Sequence, residues 1–263
     1  MRRLRESRMT AHPYRILTPI AGPAFRNRCA LTIMAKAPIP GKVKTRLSPP
    51  LTPHQAAALN ACFLRDTFAN LALACTHAAA EVVISYTPIG EEAAFLGILP
   101  ENTYLLPQRG HSFGERLLST AQDLFASGFS SVCLIDSDSP TVPPAEFVAA
   151  IEQLAAPGSR AVLGPSADGG YYLIGLQSAE PNLFDRITWS TDRVAAETID
   201  RAAEINLPIH LLSEWYDVDD DHSLNRLLTE IDSPHQAGAY RAPHTRAYLH
   251  QLYRTTPRLE QLA

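Results

Sequence analysis

The chain has 263 residues, 46% of them hydrophobic and 19% charged, which is enough for one large globular core and excludes an intrinsically disordered chain. A formal net charge of −4 gives the molecule as a whole no electrostatic attraction for nucleic acid. No apolar run approaches ~18 residues, so no transmembrane helix is expected. The four cysteines, Cys29, Cys62, Cys75 and Cys133, are scattered without a Cys-x-x-Cys pair. That pattern argues against zinc or a disulfide framework and favours reduced thiols in a cytoplasmic protein.

Residues 1–28 hold seven arginines against one acid, Glu6, and are interrupted by Pro13, Pro19 and Pro23. They lack the apolar centre of a signal peptide. They read as a basic, disordered extension, or as a start placed too early, with Met9 as a second candidate start. The run 30–35 predicts the first buried strand. After a basic loop, Thr52-Pro53 opens a helix reaching about Cys75, with threonine as cap and proline at the first helical position. Strands are expected over 81–86, 103–106, 131–135, 161–163, 171–176 and 209–212. Helices are expected over 91–96, 113–127, 143–156, 191–204 and 221–231, with a further short one at 246–253. The helix from Phe113 stops at Gly128, a suitable C-terminal glycine.

Strands apolar on both faces, alternating with helices, imply a mostly parallel sheet covered on both sides. One domain is expected over 29–232, followed by a tail, 233–263, packed on it. In such sheets ligands bind beyond the carboxyl ends of the strands, so the loops after Ala35, Ile135 and Leu163 carry the functional candidates.

The first of these loops, Lys36 to Leu47, reads K-A-P-I-P-G-K-V-K-T-R-L. Lys36, Lys42, Lys44 and Arg46 suit phosphate oxygens, Gly41 allows close backbone approach, and Thr45 adds a hydroxyl. The spacing is not that of a Walker A loop. In I-D-S-D-S-P, Asp136 and Asp138 at i and i+2 can both reach one Mg²⁺ or Mn²⁺ ion, or can cap backbone amides of a turn. In A-D-G-G-Y-Y, Asp168, Gly169, Gly170 and Tyr171 suit a sugar or base, or equally a tight turn between strands. In W-Y-D-V-D-D-D-H, one later acid caps a helix, leaving Asp217 and Asp219 as metal candidates. Glu115 and Arg116 offer a weaker nucleotide contact. W-S-T-D-R-V, from Trp189 to Val194, reads first as a capped helix start and second as an acceptor loop. No nucleophilic constellation is present, which suits direct displacement assisted by a metal and by positive charge, with Lys44, Arg46 and Asp138 at its centre.

Five segments, K-A-P-x-P-G-x-x-K-T-R-L, x-S-D-S-P, D-G-G-Y-Y-L-I-G-L, W-S-T-x-R-V and W-Y-D-V-D, occur in this order over roughly residues 30–226. Together they resemble a bacterial transferase family described as glycosyltransferase-like or phospholactate-guanylyltransferase-like. That family is associated with radical-SAM and selenium-domain genes, and some members are labelled arsenosugar-biosynthesis glycosyltransferases. The resemblance implies the GT-A, nucleotide-diphospho-sugar transferase fold, a Rossmann-like sheet shared by glycosyltransferases and nucleotidyltransferases. It implies that Asp138 is the metal-binding aspartate after the central strand and that Asp136 is the first acid of an Asp-x-Asp pair. It also makes Asp217 or Asp219 a second metal ligand, this chain having Asp219-Asp220 where sugar-nucleotide pyrophosphorylases have Gly-Thr. The expected partners are a nucleotide or nucleotide-sugar and a small acceptor. The expected reaction is transfer of a sugar from the nucleotide diphosphate, or alternatively condensation of a nucleoside triphosphate with release of pyrophosphate.

Overall fold

The computed structural model describes residues 13–20, 25–232 and 238–255. Eight strands form one sheet: β1 (Arg15–Ile16), β2 (Cys29–Lys36), β3 (Ala80–Thr87), β4 (Tyr104–Pro107), β5 (Ser131–Ile135), β6 (Ala161–Pro165), β7 (Tyr171–Leu176) and β8 (Ile209–Leu211). Their order is β1-β4-β3-β2-β5-β7-β6-β8. All pairs are parallel except those that β7 makes with β5 and β6. The expected α/β architecture, a mostly parallel sheet with helices on both faces, is therefore the observed one.

Among the described residues six α-helices cover the sheet: α1 (Pro53–Ala74), α2 (Phe113–Ala126), α3 (Pro144–Ala155), α4 (Val194–Glu204), α5 (Asp221–Ile231) and α6 (Pro243–Thr255). One apolar layer joins the sheet to α1, α3, α5 and α6 through Phe63, Phe147, Leu224 and Leu249. The other joins it to α2 and α4 through Leu117, Leu124 and Ala202. Strand β2 is central, and five of its first six side chains are buried because helices lie on both its faces. Thr52 and Gln55 form a reciprocal capping box at the start of α1, with Pro53 at the first position.

Three boundaries differ from the sequence reading. The described part of the basic segment joins the fold: Arg15–Ile16 pairs with β4, Tyr14 donates to the Phe95 carbonyl at 2.5 Å, and Leu17 and Phe25 are buried. Disorder is thus not the state of residues 13–20, while residues 1–12 and 21–24, Met9 included, lie outside the described residues. Helix α4 begins at Val194 rather than near Thr191, with Arg193 in the cap position and Ser190 in a left-handed turn (φ 64°) before it. The last helix begins at Pro243, where Asp66 of α1 accepts from the His244 and Thr245 amides at 3.1 and 2.7 Å. All four cysteines are free, with Cys29 and Cys133 buried and their sulfurs 3.8 Å apart. Among the described residues no helix is long and apolar enough to cross a membrane.

Candidate functional site

Four loops gather at one edge of the sheet. The first leaves β2 and is pinned by buried Val43 and Leu47, which alternate with Lys42, Lys44 and Arg46. Gly41 (φ 74°) and Lys44 (φ 48°) both adopt the left-handed conformation that turns the chain. The second leaves β5. Asp136 Oδ1 accepts from the Asp138 and Ser139 amides at 3.2 Å each, and its Oδ2 accepts from the Ser139 hydroxyl at 2.7 Å. The third is the β6–β7 turn, where the Gly170 amide donates to Asp168 Oδ1 at 2.9 Å. Gly169 at φ 88° packs so closely on the Asp192 backbone that a Cβ would lie 2.0 Å from its carbonyl oxygen.

The fourth loop runs from Trp215 to Asp220. Its backbone is stitched to the others: Ala167 N donates to Trp215 O and Val218 N to Asp138 O, each at 2.9 Å. The Trp215 indole donates to Thr141 Oγ1 at 3.1 Å, and the Ser166 hydroxyl to Asp217 Oδ1 at 3.1 Å. Asp220 is the capping acid, accepting from the Ser223 amide at 2.8 Å.

These contacts place Asp136, Asp138, Asp168, Asp217 and Asp219 around one cleft of about 460 Å³, with Arg46 on its rim. A smaller pocket of about 240 Å³ is lined by Lys36, Lys42, Lys44, Thr45 and Arg46 and shares Arg46, Asp138 and Asp219 with the cleft. The cationic loop and the acids therefore meet, as the sequence reading required. Gly41 shapes this loop without lining either cavity.

The acids repel one another. Burial, with Asp168, Asp219 and Asp138 nearby, pushes the Asp217 carboxyl up to about 6. Burial and then Asp138 hold Asp136 well above the usual carboxylate range. Asp138 is raised by burial, against the opposing pull of Lys44. Lys44 Nζ stands 2.8 Å from both Asp138 Oδ1 and Asp219 Oδ1. Burial alone would lower the pKa of its ammonium, but the two carboxylates outweigh it and raise it.

Two expectations are placed elsewhere. Glu115 completes the capping box of α2, accepting from the His111 and Ser112 amides, and lies off both cavities. Arg116 donates to the His111 carbonyl at 3.1 Å and lies over the Phe113 ring. Asp136 is engaged by its own turn, the amide-capping alternative weighed for it. The remaining wall of the cleft is apolar and was missed as such: Met34, Phe113, Leu117, Leu134 and Trp189. Phe113 and Trp189 meet edge to face, centroids 5.1 Å apart, over Gly114, where a Cβ would lie 2.8 Å from the indole nitrogen. The visible signal was Trp189 in W-S-T-D-R-V, whose residues Trp189 to Asp192 line the cleft as the acceptor-loop reading suggested.

This sheet, with its ligand edge bearing acids and a basic loop, is the fold of nucleotidyltransferases and nucleotide-diphospho-sugar transferases. A candidate nucleotide-diphospho-sugar transferase from Desulfovibrio desulfuricans G20 is similar over 85% of this chain and 99% of its own, with 31% identity and a TM-score of 0.71. The family described as "Uncharacterized protein conserved in bacteria (DUF2064)" matches residues 70–191, and the chain belongs to it. Two more distant structures share the fold. A CMP-2-keto-3-deoxy-manno-octonic acid synthetase bound to CTP has 11% identity and a TM-score of 0.52, covering 79% of this chain and 99% of that one. A nucleotidyl transferase from Methanothermobacter has 14% identity and a TM-score of 0.51, covering 76% and 96%. No curated protein matches by sequence.

Proposed function

We propose that the chain is a metal-dependent transferase that moves a sugar from a nucleotide diphosphate to a small acceptor. The observation that carries this is the sharing of Arg46, Asp138 and Asp219 between the acidic cleft and the cationic pocket. A diphosphate drawn to Lys36, Lys42 and Arg46 would meet carboxylates at once, and a divalent ion reconciles the two. The donor set fits Mg²⁺ or Mn²⁺: it is all oxygen, and Asp217 and Asp138 are raised in pKa by burial first and by neighbouring carboxylates second, a penalty on the charged forms that a cation relieves. As the side chains stand, no group of three or more acids, histidines or cysteines among the described residues is closed around an ion position. Asp138 and Asp219, with Asp217 beside them, would hold it. When bound, the ion supplies Lewis-acid neutralisation of the leaving diphosphate.

The chain's own groups do the rest. Lys36, Lys42 and Arg46 orient the phosphates. Asp168 and Gly170 face the sugar, with Gly169 setting the turn, and Tyr171, Phe113 and Trp189 exclude water from the far wall. The three basic side chains beside Asp138 also favour a second reading, nucleotidyl transfer with pyrophosphate as leaving group. The test is to incubate the protein with Mg²⁺ or Mn²⁺ and panels of sugar nucleotides and nucleoside triphosphates. Free nucleoside diphosphate from a sugar nucleotide supports glycosyl transfer, and pyrophosphate from a triphosphate overturns it.

A further inference from the structure

Lys44 does not stand where a phosphate-reading lysine would. Lys36 and Lys42 on the same loop are exposed, whereas the Lys44 side chain is 3% exposed. Its ammonium has three acceptors, Val218 O at 2.7 Å and the Asp138 and Asp219 carboxylates at 2.8 Å each, matching its three protons. Its backbone sits at φ 48°, ψ 41°, which lysine rarely adopts, so the ion pairs hold the loop in a strained turn. Across the same pocket stands Asn60 of α1, 4% exposed, whose side-chain oxygen has no hydrogen-bond partner. A buried acceptor without a donor is costly, and here Asn60 lines a cavity together with Lys36, Lys42, Lys44 and Arg46.

Resting on the metal-dependent reading above, we infer that Lys44 is a resident counter-ion of Asp138 and Asp219 that the divalent cation displaces, its ammonium passing into the pocket to Asn60 and the donor phosphates. Charge accounts for the exchange: one positive charge between two carboxylates gives way to two, and the freed lysine becomes a fourth phosphate ligand beside Lys36, Lys42 and Arg46. The cation and the diphosphate then bind cooperatively, because each favours the same position of Lys44.

The test is calorimetric titration of Mn²⁺, without nucleotide, into the wild-type chain and the variants Lys44→Met, Asn60→Ala and Lys36→Met. With no resident cation to displace, Lys44→Met binds Mn²⁺ about tenfold more tightly. Asn60→Ala, which removes the acceptor for the displaced ammonium, binds it about threefold more weakly. Lys36→Met, a cation of the same pocket without an ion pair to these acids, changes affinity by less than about twofold. Weaker binding by Lys44→Met would mean that the lysine only positions the acids, and would overturn the exchange while leaving the metal site intact. Should Lys44→Met fail to fold, unchanged affinity in Asn60→Ala overturns it alone. Failure of wild type and Lys44→Met to bind Mn²⁺ at all would remove the metal reading together with the exchange.

Discussion

Gly169→Ala separates two costs that a glycine in a turn can avoid. Gly169 at φ 88° and Gly41 at φ 74° both occupy left-handed backbone. Alanine at either position costs about 1–2 kcal/mol from backbone strain. At Gly41 nothing lies within 4 Å of an added Cβ, so that is the whole cost. At Gly169 the Cβ falls 2.0 Å from Asp192 O and 2.5 Å from its C and Cα, all backbone atoms that no rotamer change can move. Overpacking adds about 1–3 kcal/mol, giving about 2–5 kcal/mol for Gly169→Ala. Relief would have to come from displacing residues 189–192, which line the cleft. Urea unfolding of the two variants measures the difference, and nucleotide affinity should fall for Gly169→Ala only. Equal destabilisation of the two variants would refute the packing of the β6–β7 turn on the Asp192 backbone.

Asp217 supplies a pH signature. Its folded carboxyl, near 6, lies above the ordinary value of 3.8, so the folded state holds the proton more tightly than the unfolded one. Ionised Asp217 therefore opposes folding above about pH 6, and the penalty is relieved as pH falls through that value. Asp217→Asn in chelator should raise the unfolding midpoint at about pH 8 and raise it clearly less near pH 4.5; a lowered midpoint at pH 8 would contradict this. Asp66→Ala strips the His244 and Thr245 amides of their buried acceptor. It should cost on the order of 2–3 kcal/mol in chemical denaturation and raise amide exchange at the start of α6. A change under about 0.5 kcal/mol would mean that α6 docks by its apolar face alone.

The sheet was legible because local signals agree with the fold. Runs such as 131–135 are buried throughout, and apolar from Val132 on, because β5 is covered on both faces, and Thr52-Pro53 and Gly128 mark helix ends. The antiparallel β6–β7 pair had a local signal in the Asp168-Gly169-Gly170 turn, whereas the insertion of β7 against β5 is a tertiary choice with no local signature. The acids were found as candidates because they follow buried strands. What escaped was the occupancy of Lys44, whose partner Val218 is 174 residues away and whose charge alone suggests phosphate. Glu115 is different: Ser112 with glutamate at the third helical position is a capping-box pattern present in the sequence, and that box is formed in the fold. The apolar wall was hidden because the meeting of Phe113 with Trp189 depends on the absence of a side chain at Gly114, which no periodicity reveals.

The central claim is that carboxylates and basic side chains converge on a diphosphate through a shared cation. Equilibrium binding of nucleoside diphosphates, with Mn²⁺ and in chelator, to the wild-type chain and to Asp138→Ala tests it most directly. The account requires binding that falls at least about tenfold without the ion, and that loses this dependence in Asp138→Ala. Equal affinity with and without Mn²⁺ in the wild-type chain would contradict it.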